Sequence, residues 1–172
     1  MSFQQRTTGL LAALALVLPA STHAQTSSSE LLSSLSFRHI GVVGNRIASV
    51  AGVAGNPLVY YAGAASGGLW KTEDGGVRWR PLFDELDVHS VGALAVSLSD
   101  PQIVWAGTGE PHIRSNVTVG DGVYKSMDGG DNWQHMGLDA TGRISRLVIH
   151  PTNPDIVYAA SLGHAHAPQP ER

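Results

Sequence analysis

Three segments of this chain align with one another without a gap. Residues 46–63 read RIASVAGVAGNPLVYYAG, residues 90–107 read SVGALAVSLSDPQIVWAG, and residues 143–160 read RISRLVIHPTNPDIVYAA. Each carries an Asn/Asp-Pro turn pair, at Asn56-Pro57, Asp100-Pro101 and Asn153-Pro154, and an aromatic four residues after the proline: Tyr61, Trp105 and Tyr158. The starts, at 46, 90 and 143, lie 44 and 53 residues apart, a period shared by propellers and solenoids. Such a repeat constrains the fold strongly, because one unit cannot bury its apolar face alone and must stack on its neighbours. The local pattern separates the two architectures. Stretches such as ISRLVIH and DIVYAA are short, β-branched and aromatic-rich, and Asn-Pro and Gly-Gly pairs punctuate them. Each unit therefore reads as a four-stranded antiparallel meander, with the strands of the second expected at about 91–98, 103–107, 122–126 and 133–136. The fold class this predicts is all-β: a partial β-propeller of about two and a half blades.

A second repeat is laid over the first. WKTEDGGVRW (residues 70–79) returns 54 residues later as YKSMDGGDNW (residues 124–133). There the chain must reverse from the third strand of a unit into the fourth. A short carboxylate, Asp74 or Asp128, accepts backbone N–H groups and holds a turn. Glycines, Gly76 and Gly130 among them, admit the positive φ that tight hairpin turns need. Thr72 or Ser126 braces the loop with its hydroxyl, and Trp79 or Trp133 lays a large ring against the sheet. A residue type that recurs at one place in every unit serves the unit. By that filter these eight residues are structural corners, all four tryptophans are packing residues, and Arg46 and Arg143, which share a frame, are structural too.

The two decapeptides resemble Asp-boxes, the Ser/Thr-x-Asp-x-Gly-x-x-Trp repeats of bacterial neuraminidases, which also occur in xyloglucanases and in the propellers of sortilin-type receptors. With SGGLWKTEDGG and NPDIVYAA in the same frame, the chain is most similar to bacterial exported proteins with a sortilin-like N-terminal propeller, from about Phe37 onward. The resemblance implies blades whose Asp-boxes are structural and lie away from catalysis. It does not imply one activity, since these families share blades and differ in function. For xyloglucanases it implies a catalytic Asp two positions before the Gly-Gly of the first blade, and here Ala65 stands before Gly67-Gly68. For neuraminidases it implies an arginine cluster and a tyrosine nucleophile, a pattern this chain does not reproduce. Glycoside hydrolysis usually takes two flanking carboxylates. Both departures favour a non-catalytic binding or interaction module with a peptide, protein or glycan ligand. The alternative is the N-terminal fragment of a xyloglucanase- or sialidase-like glycoside hydrolase, and a scaffold without a ligand is a third reading.

Composition narrows the setting. With 42% hydrophobic and 15% charged residues the 172-residue chain is globular rather than a disordered tail. A formal net charge of −3 argues against a nucleic-acid partner. Arg6 precedes GLLAALALVLPA (residues 9–20), too short to span a bilayer, and Thr22 and Ala24 occupy the −3 and −1 positions of a cut before Gln25. This is the pattern of a secretory signal peptide, with an uncleaved anchor as the alternative. The chain has no cysteine, which excludes lipid attachment, disulfides and thiol chemistry. The expected organisation is a signal peptide at 1–24, a serine-rich linker at 25–36, blades at 37–89 and 90–142, and an incomplete third blade at 143–172. The expected location is the periplasm or the outside of the cell, with no membrane association after the signal is removed. Propellers close with about 4–8 blades. The expectation is therefore a fragment whose remaining blades belong to a longer polypeptide.

What does not repeat is the candidate for function. The second unit carries ten extra residues, EPHIRSNVTV (residues 110–119), between WAGTG and GDGVYK. Insertions of this kind project from one rim, where ligands are met. Glu110, His112 and Arg114 are the candidate ligand-binding residues, with a solvated loop as the alternative. Asn116 to Thr118 matches a glycosylation acceptor, expected to be unused in a bacterial-type setting. His164 and His166 form a His-x-His pair, but no further ligand sits at a recognisable spacing, so no metal or other cofactor is expected. No catalytic residue is assigned.

Overall fold

A computed structural model describes residues 41, 42 and 45–165, together with Leu32, Ser33 and Leu35. The chain divides into two compact units, Met1–Arg38 and His39–Arg172. The expected signal peptide and, apart from those three residues, the expected linker lie outside the described residues, as does His166. The second unit is a partial propeller. Its strands are β1 (Asn45–Val53), β2 (Asn56–Ser66), β3 (Leu69–Thr72), β4 (Arg80–Pro81), β5 (Val91–Val96), β6 (Val104–Thr108), β7 (Val123–Ser126), β8 (Gln134–His135), β9 (Ile144–Ile149) and β10 (Val157–Ser161). They form two four-stranded sheets, β1-β2-β3-β4 and β5-β6-β7-β8, and a two-stranded sheet of β9 and β10, with every pair antiparallel.

The three inner hairpins share one register. Ile47 faces Ala64, Val91 faces Thr108, and Ile144 faces Ser161. Each first strand then skips one residue (Ala48, Gly92 or Ser145), and pairing resumes at Ser49–Gly63, Ala93–Gly107 and Arg146–Ala160. The same β-bulge in all three hairpins adds the same local twist, so successive sheets leave the axis alike. The glycine that ends the YAG and WAG segments explains the spacing between blades. A Cβ on Gly63 would stand 2.8 Å from Val91 Cγ1, and one on Gly107 would stand 2.5 Å from Ile144 Cγ2. Without a side chain there, the first residue of the next blade rests on the backbone. Val91 and Ile144 are accordingly 0% exposed.

Two expectations need correction. Asn56-Pro57 does not form the turn of the first hairpin. There the chain reverses two residues earlier, at Ala54-Gly55, because Gly55 takes φ +76°, and Pro57 enters β2 near its start. In the other two hairpins the turn closes with Ile103 N–H donating to Asp100 O and Ile156 N–H donating to Asn153 O. The Asx contact survives in all three: Asn56, Asp100 and Asn153 accept through Oδ1 from Leu58, Gln102 and Asp155 N–H at 3.0–3.1 Å. The fourth strands are also shorter than expected. β8 holds two residues, since Trp133 is still folded onto its turn and Gly137, at φ +95°, ends the extended geometry.

Two apolar clusters fill the junctions between sheets. Tyr61, Leu69, Phe83, Val88, Val91, Val104, Ala106 and Tyr124 pack between the first and second. Ala93, Trp105, Val123, Ile144 and Leu147 pack between the second and third.

Candidate functional site

The two Ser/Thr-Asp-Gly turns superimpose bond for bond. Thr72 and Ser126, both 1% exposed, donate through their hydroxyls to Oδ1 of Asp74 and Asp128 at 2.9 and 2.8 Å. The same hydroxyl oxygens accept from Gly76 and Gly130 N–H at 2.9 and 2.8 Å. Each carboxylate then accepts a backbone N–H four residues on, from Arg78 or Asn132, at 2.9 Å. The indole N–H of Trp79 or Trp133 closes the loop on the carbonyl of Gly76 or Gly130, at 3.1 and 2.9 Å. A carboxylate stabilised by N–H donors loses its proton more easily. Asp74 is lowered, chiefly by the Arg78 N–H. Asp128 is lowered to about 2, first by the Asn132 backbone N–H, then by its side-chain amide and the Ser126 hydroxyl. The turn of the second sheet also binds the blades together, since the Tyr61 hydroxyl donates to Gly129 O at 2.9 Å from a site that is 1% exposed.

The unique loop is built around a buried acid. Glu110 follows β6 and is 1% exposed. Its Oε1 accepts from Arg114 Nε at 2.6 Å and from Arg46 Nη2, which reaches across from the first sheet. The hydrogen bond from Arg114 leads in holding the Glu110 carboxyl below its ordinary range; burial opposes it and the Arg114 and Arg46 charges assist. Arg114 also donates to Asn116 Oδ1, and Glu110 N–H donates to Thr118 O at 2.8 Å. The loop is thereby folded on itself. The three candidate residues separate: Glu110 lies inside, Arg114 spans the loop, and His112 is exposed beside Ile113, which is 76% exposed. The repeat frame marks Arg46 as structural, and nothing local in sequence marks its partner 64 residues away. Arg143, its counterpart in the third repeat, is buried and donates instead to Gly163 O at 2.7 Å.

Other candidate features resolve simply. Ala65 is 1% exposed at the end of β2. Among the described residues no group of three or more His, Cys, Asp or Glu is gathered closely enough to hold a metal ion. Among them, too, no helix is long and apolar enough to cross a membrane.

The fold defines a segment of a β-propeller built from four-stranded blades. Among solved structures, an ancestral GH74 enzyme matches 70% of this chain with a TM-score of 0.59 at 22% identity, over 17% of that enzyme's length. The GH74 enzyme of Niastella koreensis matches 58% of the chain over 15% of its own, with a TM-score of 0.47 and 21% identity. At this identity the likeness is one of fold. No protein-family model and no curated protein matches the sequence.

Proposed function

We propose that this chain belongs to a non-catalytic binding propeller outside the cytoplasm, of the sortilin-like Asp-box type, and that the 110–119 loop meets its peptide, protein or glycan ligand. The observation that carries this reading is the state of Glu110. A general acid needs a carboxyl raised toward neutral pH. Glu110 is instead held ionised by two arginines and serves to shape the loop. The buried Ala65, where the xyloglucanase resemblance implies an acid, points the same way. The likeness to the ancestral GH74 enzyme favours a second reading, in which the blades belong to a glycoside hydrolase whose paired carboxylates lie beyond these 172 residues.

Calorimetric titration of the full chain with xyloglucan oligosaccharides, sialosides and a peptide library, beside a reducing-sugar assay of the longer polypeptide that the second reading requires, tests the choice. Saturable binding without bond cleavage, weakened by His112→Ala with Ile113→Ser, is the expected result. Release of reducing ends would replace the binding reading with the hydrolase one.

A further inference from the structure

The two junctions between blades repeat one lysine and differ in what holds it. Lys71 on β3 and Lys125 on β7 share a repeat position, and their Nζ atoms stand 5.7 and 5.5 Å from the rings of Tyr61 and Trp105. At the second junction Asp155, from the next hairpin, reaches Lys125 Nζ at 2.9 Å. The residue in that place at the first junction is Gln102, which has no charge to offer. Lys71 pairs instead with Glu73, just past its own strand, at 2.9 Å, where the second blade has Met127. Between the first two blades a cleft of about 440 Å³ lies open, lined by Val53, Asn56, Lys71, Glu73, Pro101 and Gln102 among others. Both sheets that flank it hold all four strands. Gly129 lines it too. A Cβ there would stand 3.0 Å from Gln102 Oε1, 3.4 Å from Lys71 Nζ and 3.7 Å from Tyr61 Oη. Amide, ammonium and phenol thus converge on a spot that any side chain at 129 would fill.

We infer that this cleft binds a neutral sugar of one or two pyranose rings, gripped through adjacent hydroxyls by Lys71 and Glu73. An ammonium has three donors and a carboxylate about four acceptor sites, so their pairing leaves both with capacity to spare. A hydroxyl both accepts and donates. One ring hydroxyl accepts from Lys71 Nζ, its neighbour donates to Glu73, and the ion pair stays intact. Hydrogen bonds to ionised groups are the stronger kind. The side-chain amides of Gln102 and Asn56 serve further hydroxyls, and Val53 and Pro101 give the C–H face of the ring an apolar wall. Charge selects against other ligands. Lys71 and Arg80 face each other across β3 and β4, balanced by Glu73 and by Asp131, which takes Arg80 at 2.8 Å. An anion meets both carboxylates there, and a cation meets both basic groups. A peptide finds no strand to extend, because β2 and β3 are each paired on both sides. The volume falls within the roughly 300–1,000 Å³ of small-molecule sites. Gln102 precedes β6 and Glu110 follows it, so this cleft and the 110–119 loop lie on opposite rims and bind independently.

The probes are methyl β-glucopyranoside and cellobiose, titrated into the full isotope-labelled chain and followed by backbone amide shifts. The expected result is saturable shifts at Gly55, Asn56, Glu73, Gln102 and Gly129, with the amides of residues 110–119 unmoved. Gln102→Asp and Glu73→Met each give the first junction the chemistry of the second, at exposed positions. Each should weaken binding at least tenfold while the melting temperature holds or rises. Glucuronate and glucosamine, the same ring with either charge, should bind at least tenfold more weakly than the methyl glucoside. Neither probe saturating, shifts confined to residues 110–119, an affinity that survives both substitutions, or equal binding of the charged sugars would each overturn the proposal.

Discussion

Replacing Tyr61 by Phe removes one oxygen and tests whether the blades are joined as described. The ring stays in the cluster between the first two sheets, so apolar burial is preserved. What is lost is the 2.9 Å hydrogen bond to Gly129 O, made in a buried setting between the inner hairpin of one blade and the turn of the next. Removing one partner of a buried neutral pair costs about 1–2 kcal/mol, because the remaining carbonyl keeps its desolvation penalty. For a domain of this size that lowers Tm by roughly 3–10 °C. Circular dichroism melts of the full chain would show it. Tyr158→Phe is the control, since that side chain is 66% exposed, and it should leave stability within about 0.5 kcal/mol. The phenol gives a second readout. Burial foremost, with the Glu73 charge, pushes Tyr61 up to about 12. Its contribution to stability is present below pH 10, the ordinary tyrosine value, and is lost as pH rises toward 12. Tyr61→Phe should flatten that alkaline loss. Equal melting temperatures for wild type and Tyr61→Phe, with the same alkaline profile, would refute the inter-blade bond.

Three further outcomes follow from the same contacts. Glu110→Gln should destabilise the chain by about 1–3 kcal/mol in urea titration, below the full value of a broken buried pair because Arg46 is half exposed. In the wild type the lowered Glu110 carboxyl places its share of stability above the ordinary glutamate value, to be lost as pH falls below it. Gly107→Ala would drive a methyl to 2.5 Å from Ile144 Cγ2, and overpacking of this kind should cost about 1–3 kcal/mol in the same titration. Asp128, lowered to about 2, supports folding above pH 3.8, and that support should fade between pH 3.8 and 2; Asp128→Ala should make the acid loss in a pH-dependent melt series shallower, leaving the share of Asp74 and Glu110.

Much of this architecture is legible in the order of residues. A propeller repeats one packing problem, so the residues that solve it recur: the aromatic at 61, 105 and 158, the Asx before each proline, and the hydroxyl, carboxylate and glycine of each turn. Repetition serves as an internal alignment, and it marks the three inner hairpins as equivalent, though not the turn of the first. The misses come from contacts that repetition does not encode. Gly55 moves the first turn by its own conformational freedom, and no neighbour forecasts it. The Arg46–Glu110 contact joins a repeated position to a unique loop across two blades, and sequence spacing says nothing of such a pairing. Exposure was the hardest to foresee: Glu110 reads as a surface acid by composition, and only the closing of its loop over two arginines buries it.

The account rests on three hairpins being one structural unit, bulge included. Cross-strand backbone NOEs in the full, isotope-labelled chain measure that directly. The expected pairs are Val50–Ala62, Leu94–Ala106 and Leu147–Ala159, with Ala48, Gly92 and Ser145 left unpaired at the same step. A third hairpin displaced by one residue, which would turn its apolar side chains to the opposite face, or one lacking the skipped Ser145, would contradict it.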